Sequence, residues 1–279
     1  MRDWIARLDR AASTVQDIHG VLLAILEEAC DERRISANPA RGIPLPRRTG
    51  SDHVYLTHGQ VRTLASEVSR HSEIIMLLAY SGIRWGELAA LRPRDVDTDR
   101  NRIRIARSAS KVNARSIIVE PKTWERRTVA VPSEVMGLLV PVIGKQRDPS
   151  GLIWARPDGE PMRPPTTTHW FTKAVARCVE ASVPRSDDGE PVGLATFPRI
   201  TAHELRHTAA SLMIASGAHV KTVQRQLGHK SATMTLDTYG HLFDDDLGEV
   251  ADRMGEGLRA AAAELAKENV QLSCNSRPM

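Results

Sequence analysis

The sequence predicts a mainly helical α+β fold with a small antiparallel sheet near its middle. Three observations carry that expectation. Apolar residues recur at three- and four-residue spacing through most of the chain, the period of an amphipathic helix. Between Arg102 and Val131 the pattern turns to alternation, the period of a half-buried strand. Proline, glycine and aspartate punctuate the pattern at short intervals and no internal repeat is seen, so the elements are short and joined by turns.

Residues 13 to 34 read as the first helix, capped by Ser13 or Thr14, with Val15, Ile18, Val21, Leu22, Ile25 and Ala29 at helical spacing. The stretch Asn38 to Gly50 is rich in proline, arginine and glycine and reads as an extended linker. Thr57 is a plausible N-cap for a helix carrying Val61, Leu64 and Ala65, and Ile74, Ile75, Leu77 and Leu78 form another that ends at Ser81-Gly82. A helix opening at Arg84 runs through Glu87, Leu88 and Leu91 to Pro93. Residues 102–106, 117–119 and 128–131 read as three strands, the last two pairing as a hairpin whose connection holds Lys122. A helix from Ser133 to Val140 follows, then a brief strand at Leu152 to Ala155, a turn at Pro157-Asp158-Gly159 and a helix from Thr168 to Ala181. Pro184 to Pro198 is a loop. From Thr201 the chain is helical with breaks at Ser216-Gly217 and Gly228-His229, and an alanine-rich helix runs from Leu247 to Lys267.

A chain of 279 residues holds one large domain, or one domain and an appendage. Basic residues exceed acidic ones by only four, so overall charge does not establish a polyanionic partner. Its distribution says more: between Arg92 and Arg127 there are eleven bases against five acids, the asymmetry of a nucleic-acid contact surface or of a solvated charged face. Arg92, Arg94, Arg107, Lys111, Arg115, Arg126 and Arg127 are the DNA-contact candidates from this stretch. Cys30, Cys178 and Cys274 are far apart with no CxxC pair, which predicts free thiols in a reducing compartment. No apolar run approaches the ~20 residues that span a bilayer, and the charged N-terminus lacks a signal-peptide core, so a cytoplasmic location without a membrane partner is expected.

The densest cluster of unusual residues lies between His203 and Tyr239. In His203-Glu204-Leu205-Arg206-His207 the spacing puts His203, Arg206 and His207 on one helix face, with Leu205, Ala209, Leu212 and Met213 on another. Cationic side chains converging from one helical turn suit a phosphate oxygen. A phenol of pKa ~10 needs a neighbouring base or a cationic field to act as a nucleophile at neutral pH. An attacked phosphodiester builds negative charge that preorganised donors stabilise, each typically worth on the order of a hundred- to a thousand-fold in rate.

Gly82-Ile83-Arg84-Trp85-Gly86-Glu87-Leu88, Pro121-Lys122-Thr123, His203-x-x-Arg206-His207, Leu227-Gly228-His229 and Asp237-Thr238-Tyr239-Gly240-His241 occur in the order of the boxes of the tyrosine recombinases of the phage-integrase type. The resemblance covers roughly residues 55 to 245. It implies the tyrosine-recombinase catalytic fold and a site-specific recombinase that cuts and rejoins DNA through a 3′-phosphotyrosyl intermediate. By the same resemblance, Tyr239 is the nucleophile, Arg84 and Arg206 clamp the scissile phosphate, and Lys122 protonates the departing 5′-hydroxyl. His203 and His229 assist proton transfer and orient the phosphate, with Glu87 and His207 in support. It implies double-stranded DNA attachment sites as substrate, a homotetramer on DNA coupled through the C-terminal helix, and accessory DNA-bending or directionality proteins. No metal and no cofactor are expected, since ester exchange keeps the bond energy and the sequence lacks both a carboxylate trio near the cluster and a Walker-type loop.

Two other readings stay open at this stage. His203-Glu204-Leu205-Arg206-His207 matches H-E-x-x-H, the helical zinc pair of a metalloprotease, with His219, His229 or Asp237 as the third ligand. The chain also fits a catalytically impaired, DNA-binding remnant of an integrase. The expected organisation is a partial helical core-binding segment at 1–45, a linker at 46–54, the catalytic domain at 55–245 and a C-terminal helix and tail at 246–279. The first segment resembles only the last part of the family's core-binding domain, so active-site chemistry is expected to be intact while DNA affinity and site specificity are weak.

Overall fold

The structure is a computed structural model that describes residues 2–47, 53–112, 115–119, 126–166, 169–243 and 247–275. The chain forms two compact units, residues 1–53 and 54–279.

In the first unit, helices α1 (Arg2–Ala6) and α2 (Ala12–Asp31) are followed by an irregular segment that folds back on α2. Asn38 fixes that return by donating to the Leu23 carbonyl and to Glu27, while its own Oδ1 accepts from the Ala40 N–H at 2.9 Å. The buried stripe of α2 runs through Val15 and His19, and His19 bonds the Ala40 carbonyl at 2.9 Å. Val21 and Ile25, expected on the covered face, are instead 63% and 61% exposed. The return segment covers the neighbouring side of the helix, where a polar His19 and Asn38 make the bonds, so helical spacing alone misplaced the inward face.

The second unit opens with α3 (His58–Ser66), whose start is a reciprocal cap: Thr57 Oγ1 accepts from the Gln60 N–H and Gln60 Oε1 accepts from the Thr57 N–H. Helix α4 (Ser72–Ser81) is apolar nearly all round and therefore central; Ile74, Ile75, Leu77 and Leu78 are buried among α3, α6 (Ser133–Ile143) and α8 (Glu204–Ala215). Helix α5 is only Trp85–Ala89, shorter than the expected run to Pro93, because Pro93 instead begins a 3₁₀ turn that ends at Asp95.

The sheet pairing corrects the expected hairpin. Strand β1 (Val96–Asp97) pairs with β2 (Arg102–Ile105), and β2 pairs antiparallel with β5 (Arg127–Ala130), Ile103 opposite Val129. Strands β3 (Ser108–Val112) and β4 (Arg115–Val119) form a separate two-stranded sheet. Burial decides the partners: Ile103, Ile105 and Val129 share one buried face, whereas Ile117 and Val119 remain 42% and 44% exposed and offer β5 no core to join. The segment expected as a strand at Leu152 to Ala155 makes only one bridge, Ala155 to Pro161.

Helix α7 (Trp170–Ala181) packs Phe171, Ala174, Val175 and Cys178 into the core. After α8 come α9 (Val220–Leu227), α10 (Ala232–Tyr239) and a 3₁₀ turn at Gly240–Leu242, with breaks where the sequence signals them. Helix α11 (Leu247–Asn275) runs beyond the expected end at Lys267. No helix among the described residues is long and apolar enough to cross a membrane.

Candidate active site

Two left-handed glycines bring the site's elements into contact. Gly82 ends α4 at φ +69°, and a Cβ there would lie 2.6 Å from a Leu227 methyl. Gly228 ends α9 at φ +71°, where a Cβ would meet the Arg127 side chain at 2.8 Å. Only glycine allows both the backbone angle and the close approach at these two turns. Arg206, 3% exposed on α8, then ties the two turns together by donating to the Gly82 and Leu227 carbonyls. Its buried cation thus also satisfies two helix-end carbonyls.

Glu87 is the electrostatic hub. Arg127 reaches it with two parallel bonds of 2.8 Å, and Arg84 contributes its own N–H at 2.8 Å and a guanidinium nitrogen at 3.1 Å. Burial by itself would raise the Glu87 carboxyl; the bonds and charge of Arg127, joined by those of Arg84, outweigh it and hold the group below its ordinary range. Arg84, N-cap of α5, keeps its side chain 45% exposed, so the hub presents one arginine outward while Arg127 stays 11% exposed.

Tyr239 closes α10 and is 1% exposed. Its hydroxyl bonds His207 Nδ1 at 2.8 Å, and its ring lies parallel to His229 with centroids 6.3 Å apart. His207 in turn meets His203 edge-on at 5.1 Å. His229 Nδ1 is bonded to Thr235 Oγ1 at 3.0 Å, which fixes the ring. Burial pushes the Tyr239 phenol up to about 12 against the opposing charge of Arg206. Burial also pushes His229 down to about 4, and the cations Arg206, Arg84 and Arg127 act in the same direction. Arg206 falls to about 10, through burial first and the neighbouring Arg84 next, and so remains a cation at neutral pH.

Beside this cluster an open cleft of about 790 Å³ is lined by Arg84, Glu87, Arg126, Arg127, His229 and Lys230, among others. The structure thus brings together Arg84, Glu87, His203, Arg206, His207, His229 and Tyr239. Lys122 lies outside the described residues, as does the side chain of Arg115. Of the basic candidates, Lys111 and Arg126 are exposed, and Arg94 donates to Ser150 at 3.1 Å. Arg92 anchors its backbone N–H on Asp95. Arg107 and Arg127 are drawn out of the exposed surface into buried ion pairs with Asp95 and Glu87. Sequence reading missed Gln226, whose side-chain amide accepts from the Ala130 N–H at 3.0 Å and donates to the Ala130 and Ser81 carbonyls. It also missed Thr235. No local pattern marks either residue.

The H-E-x-x-H segment is otherwise engaged. Glu204 accepts from the Thr201 N–H, His207 faces the phenol, and His219 caps α9 by accepting from the Lys221 N–H. Among the described residues no three His, Cys, Asp or Glu side chains converge to hold a metal ion, so the metalloprotease reading lacks its ligand set.

A mainly helical unit with a small antiparallel sheet, holding a buried tyrosine against histidines and arginines, defines a class that the comparisons identify. The model of the Phage integrase family matches residues 55–246, and the chain belongs to that family. It is 24% identical over 245 residues to the integrase of Mycobacterium phage D29, covering 85% of this chain and 61% of that protein. A tyrosine recombinase XerC-like protein of Caldanaerobacter subterraneus subsp. tengcongensis is 24% identical over 254 residues, covering 84% and 63%. Among solved structures, the Tn1549 transposon integrase in complex with a circular intermediate DNA superposes with a TM-score of 0.73 at 22% identity, over 91% of this chain and 84% of that one. The chain thus has the fold of that integrase and spans less than two thirds of the length of these two curated relatives.

Proposed function

We propose that this chain is a site-specific DNA recombinase in which Tyr239 attacks a DNA phosphodiester. The observation that carries the reading is the Tyr239 hydroxyl held at 2.8 Å on a histidine, inside an arginine array, in a chain of the phage integrase family. In the forward step a bond forms between Tyr239 Oη and phosphorus while the bond from phosphorus to the 5′-oxygen breaks. The phenol proton passes to His207, and the departing 5′-oxygen takes a proton from Lys122. The product is a 3′-phosphotyrosyl ester and a free 5′-hydroxyl. A 5′-hydroxyl from a second strand then reverses the step, so no external energy source enters.

Each neighbour has a task in that step. Arg84 and Arg206 offset the charge that develops on the non-bridging oxygens, and Arg84, half-exposed, is the one presented to the cleft. His229, neutral above about pH 4 and held at Nδ1 by Thr235, lines the cleft where a phosphate oxygen is received. His203 packs edge-on against His207 and steadies that ring beside the phenol. Glu87 acts through Arg84 and Arg127 and is a positioning residue. The substrate is double-stranded DNA carrying attachment sequences. Helix α11, with Val250, Met254 and Leu258 exposed at four-residue spacing, packs on a neighbouring copy in a DNA-bound tetramer, and accessory DNA-bending proteins shape the complex.

The test is incubation with nicked duplex carrying candidate attachment sequence in the presence of EDTA, followed by a denaturing gel. The nick lets the short strand diffuse away and traps the covalent product. A slow-migrating protein–DNA adduct that disappears in Tyr239→Phe is the expected result. An adduct that persists in Tyr239→Phe, or one that requires a divalent ion, overturns the mechanism.

A further inference from the structure

Tyr239 is the last residue of α10, and the 3₁₀ turn that follows it is closed by a backbone bond from the Phe243 N–H to the Gly240 carbonyl at 3.0 Å. Hydrogen bonds of 3₁₀ geometry are poor, so the place of such a turn is decided by what lies against it. Here the contact comes from the N-terminal end of the same unit. Tyr55, in the irregular segment before α3, bonds its hydroxyl to His241 Nε2 at 3.3 Å, and the two rings lie 6.2 Å apart centroid to centroid. The Tyr55 ring also packs, with Met213, Leu242 and Phe243, on the buried cluster that contains Tyr239.

The next residue makes a second attachment. The Leu56 N–H donates to Thr208 Oγ1 at 3.1 Å, and Thr208 is wholly buried on α8 beside His207 in sequence. One dipeptide thus grips the helix that carries His207 and the turn that follows Tyr239, the two elements joined by the 2.8 Å bond from phenol to imidazole. Consecutive Cα atoms are a fixed ~3.8 Å apart, so this strap cannot stretch to let the two elements separate. Burial holds the Tyr55 phenol above its ordinary range, so at neutral pH it is an uncharged hydrogen-bonding group. The Tyr239 phenol, raised by burial and opposed by Arg206, is raised a little further by Tyr55, as expected of two neighbouring hydroxyls.

We propose that Tyr55 is a positioning residue for the nucleophile: through His241 it fastens the turn behind Tyr239 and so holds the phenol on His207. This role rests on the recombinase reading above and deepens it. Tyr55 acts through His241 and not on the reacting atoms, so its loss is felt in the rate of attack and not in the hold on DNA. A displacement of about 1 Å can cost on the order of a hundredfold in rate, and losing one of several contacts on the turn should cost about tenfold.

The experiment compares wild type, Tyr55→Phe, His241→Ala and the double variant in single-turnover adduct formation on the nicked duplex, over a range of DNA concentrations. Each single variant is expected to lower the limiting rate about tenfold at an unchanged half-saturating DNA concentration. The double variant should be no slower than either single one, because all three lack the same bond. Ring-¹³C tyrosine spectra of the DNA-free chain supply a readout that a general loss of stability would not move. The chain has three tyrosines, so the Tyr239 signal is identified by its absence in Tyr239→Phe. It should shift in both Tyr55→Phe and His241→Ala, while the Tyr80 signal stays in place and shows that the fold is kept. A Tyr239 signal unmoved in both variants overturns the positioning role and leaves the recombinase reading intact. So do losses that multiply in the double variant, or that appear in the half-saturating DNA concentration instead of the limiting rate. A wild type that forms no Tyr239-dependent adduct overturns the recombinase reading, and this role with it.

Discussion

Replacing Glu87 with glutamine removes the charge that holds the site's arginines together. The carboxylate is 7% exposed and accepts four bonds, two from Arg127 and two from Arg84. Glutamine keeps one acceptor oxygen and turns an N–H₂ group toward donors on the other side. Arg127, itself 11% exposed, is then left as a buried cation without its counter-ion. Removing one member of a buried pair typically costs about 3–5 kcal/mol, and the half-exposed Arg84 adds little because solvent screens it. Glu87→Gln should therefore destabilise the chain by about 3–4 kcal/mol at pH 7, a drop of roughly 10 °C in melting temperature. Because the folded carboxyl lies below its ordinary value, this contribution is fully present above that value, about 4.3, and is lost as the pH falls through the folded value. Urea denaturation from pH 7 down to pH 3 measures the difference between wild type and variant. It should be constant from pH 6 to 8 and shrink below about pH 4. A change under ~1 kcal/mol at pH 7, or one that persists undiminished at pH 3, refutes the claim that Glu87 acts as an anion between two arginines.

Further expectations concern the same framework. Gly228→Ala places a methyl 2.8 Å from the Arg127 side chain at a positive φ, so it should cost about 1–3 kcal/mol in denaturant and slow adduct formation in the nicked-DNA assay. Gln226→Ala removes three bonds that join α9 to β5 and to the end of α4; a loss of about 2 kcal/mol is expected, and near-wild-type stability would show that they are idle. His229 is held near 4 against an ordinary value of 6.5, so its neutral form is favoured by folding. Stability should fall as the pH drops from about 6.5 toward 4, and His229→Gln should flatten that slope in pH-dependent thermal melts.

The legible parts of this chain are those that local chemistry decides. Thr57 and Gln60 form a reciprocal cap that can be read from four letters, and the glycines at 82, 217 and 228 end α4, α8 and α9 where the turn signal predicts. The motif residues Arg84, Glu87, Arg206, His229 and Tyr239 were legible as a set because their order along the chain is distinctive. Strand partners were not. Whether Thr128–Val131 joins the Ile117 strand or the Ile103 strand depends on which side chains find a common core, and that is decided by helices far away in sequence. Charge counting likewise read Arg107 and Arg127 as surface, since an arginine buried on Asp95 or Glu87 spells the same letter as one facing solvent. Gln226 carries no signal at all, because its role is to mimic a strand's hydrogen bonds from a neighbouring helix.

The burial of Tyr239 bears on how the proposed attack begins. With its phenol near 12, only about one molecule in 10⁵ is ionised at pH 7, and forming the phenolate as a separate step costs about 7 kcal/mol. The field that opposes this cost comes from Arg206. A DNA phosphate entering the cleft brings a negative charge that weakens that field at the moment it is needed. Prior ionisation is therefore the unfavourable route on the bound substrate. A proton leaving for His207 while the bond to phosphorus forms avoids it, because the charge lost by the phenol then moves directly onto the phosphate oxygens and the arginines beside them. On this reading the raised phenol is a safeguard. The nucleophile stays protonated and covered until a phosphate is present to receive its charge.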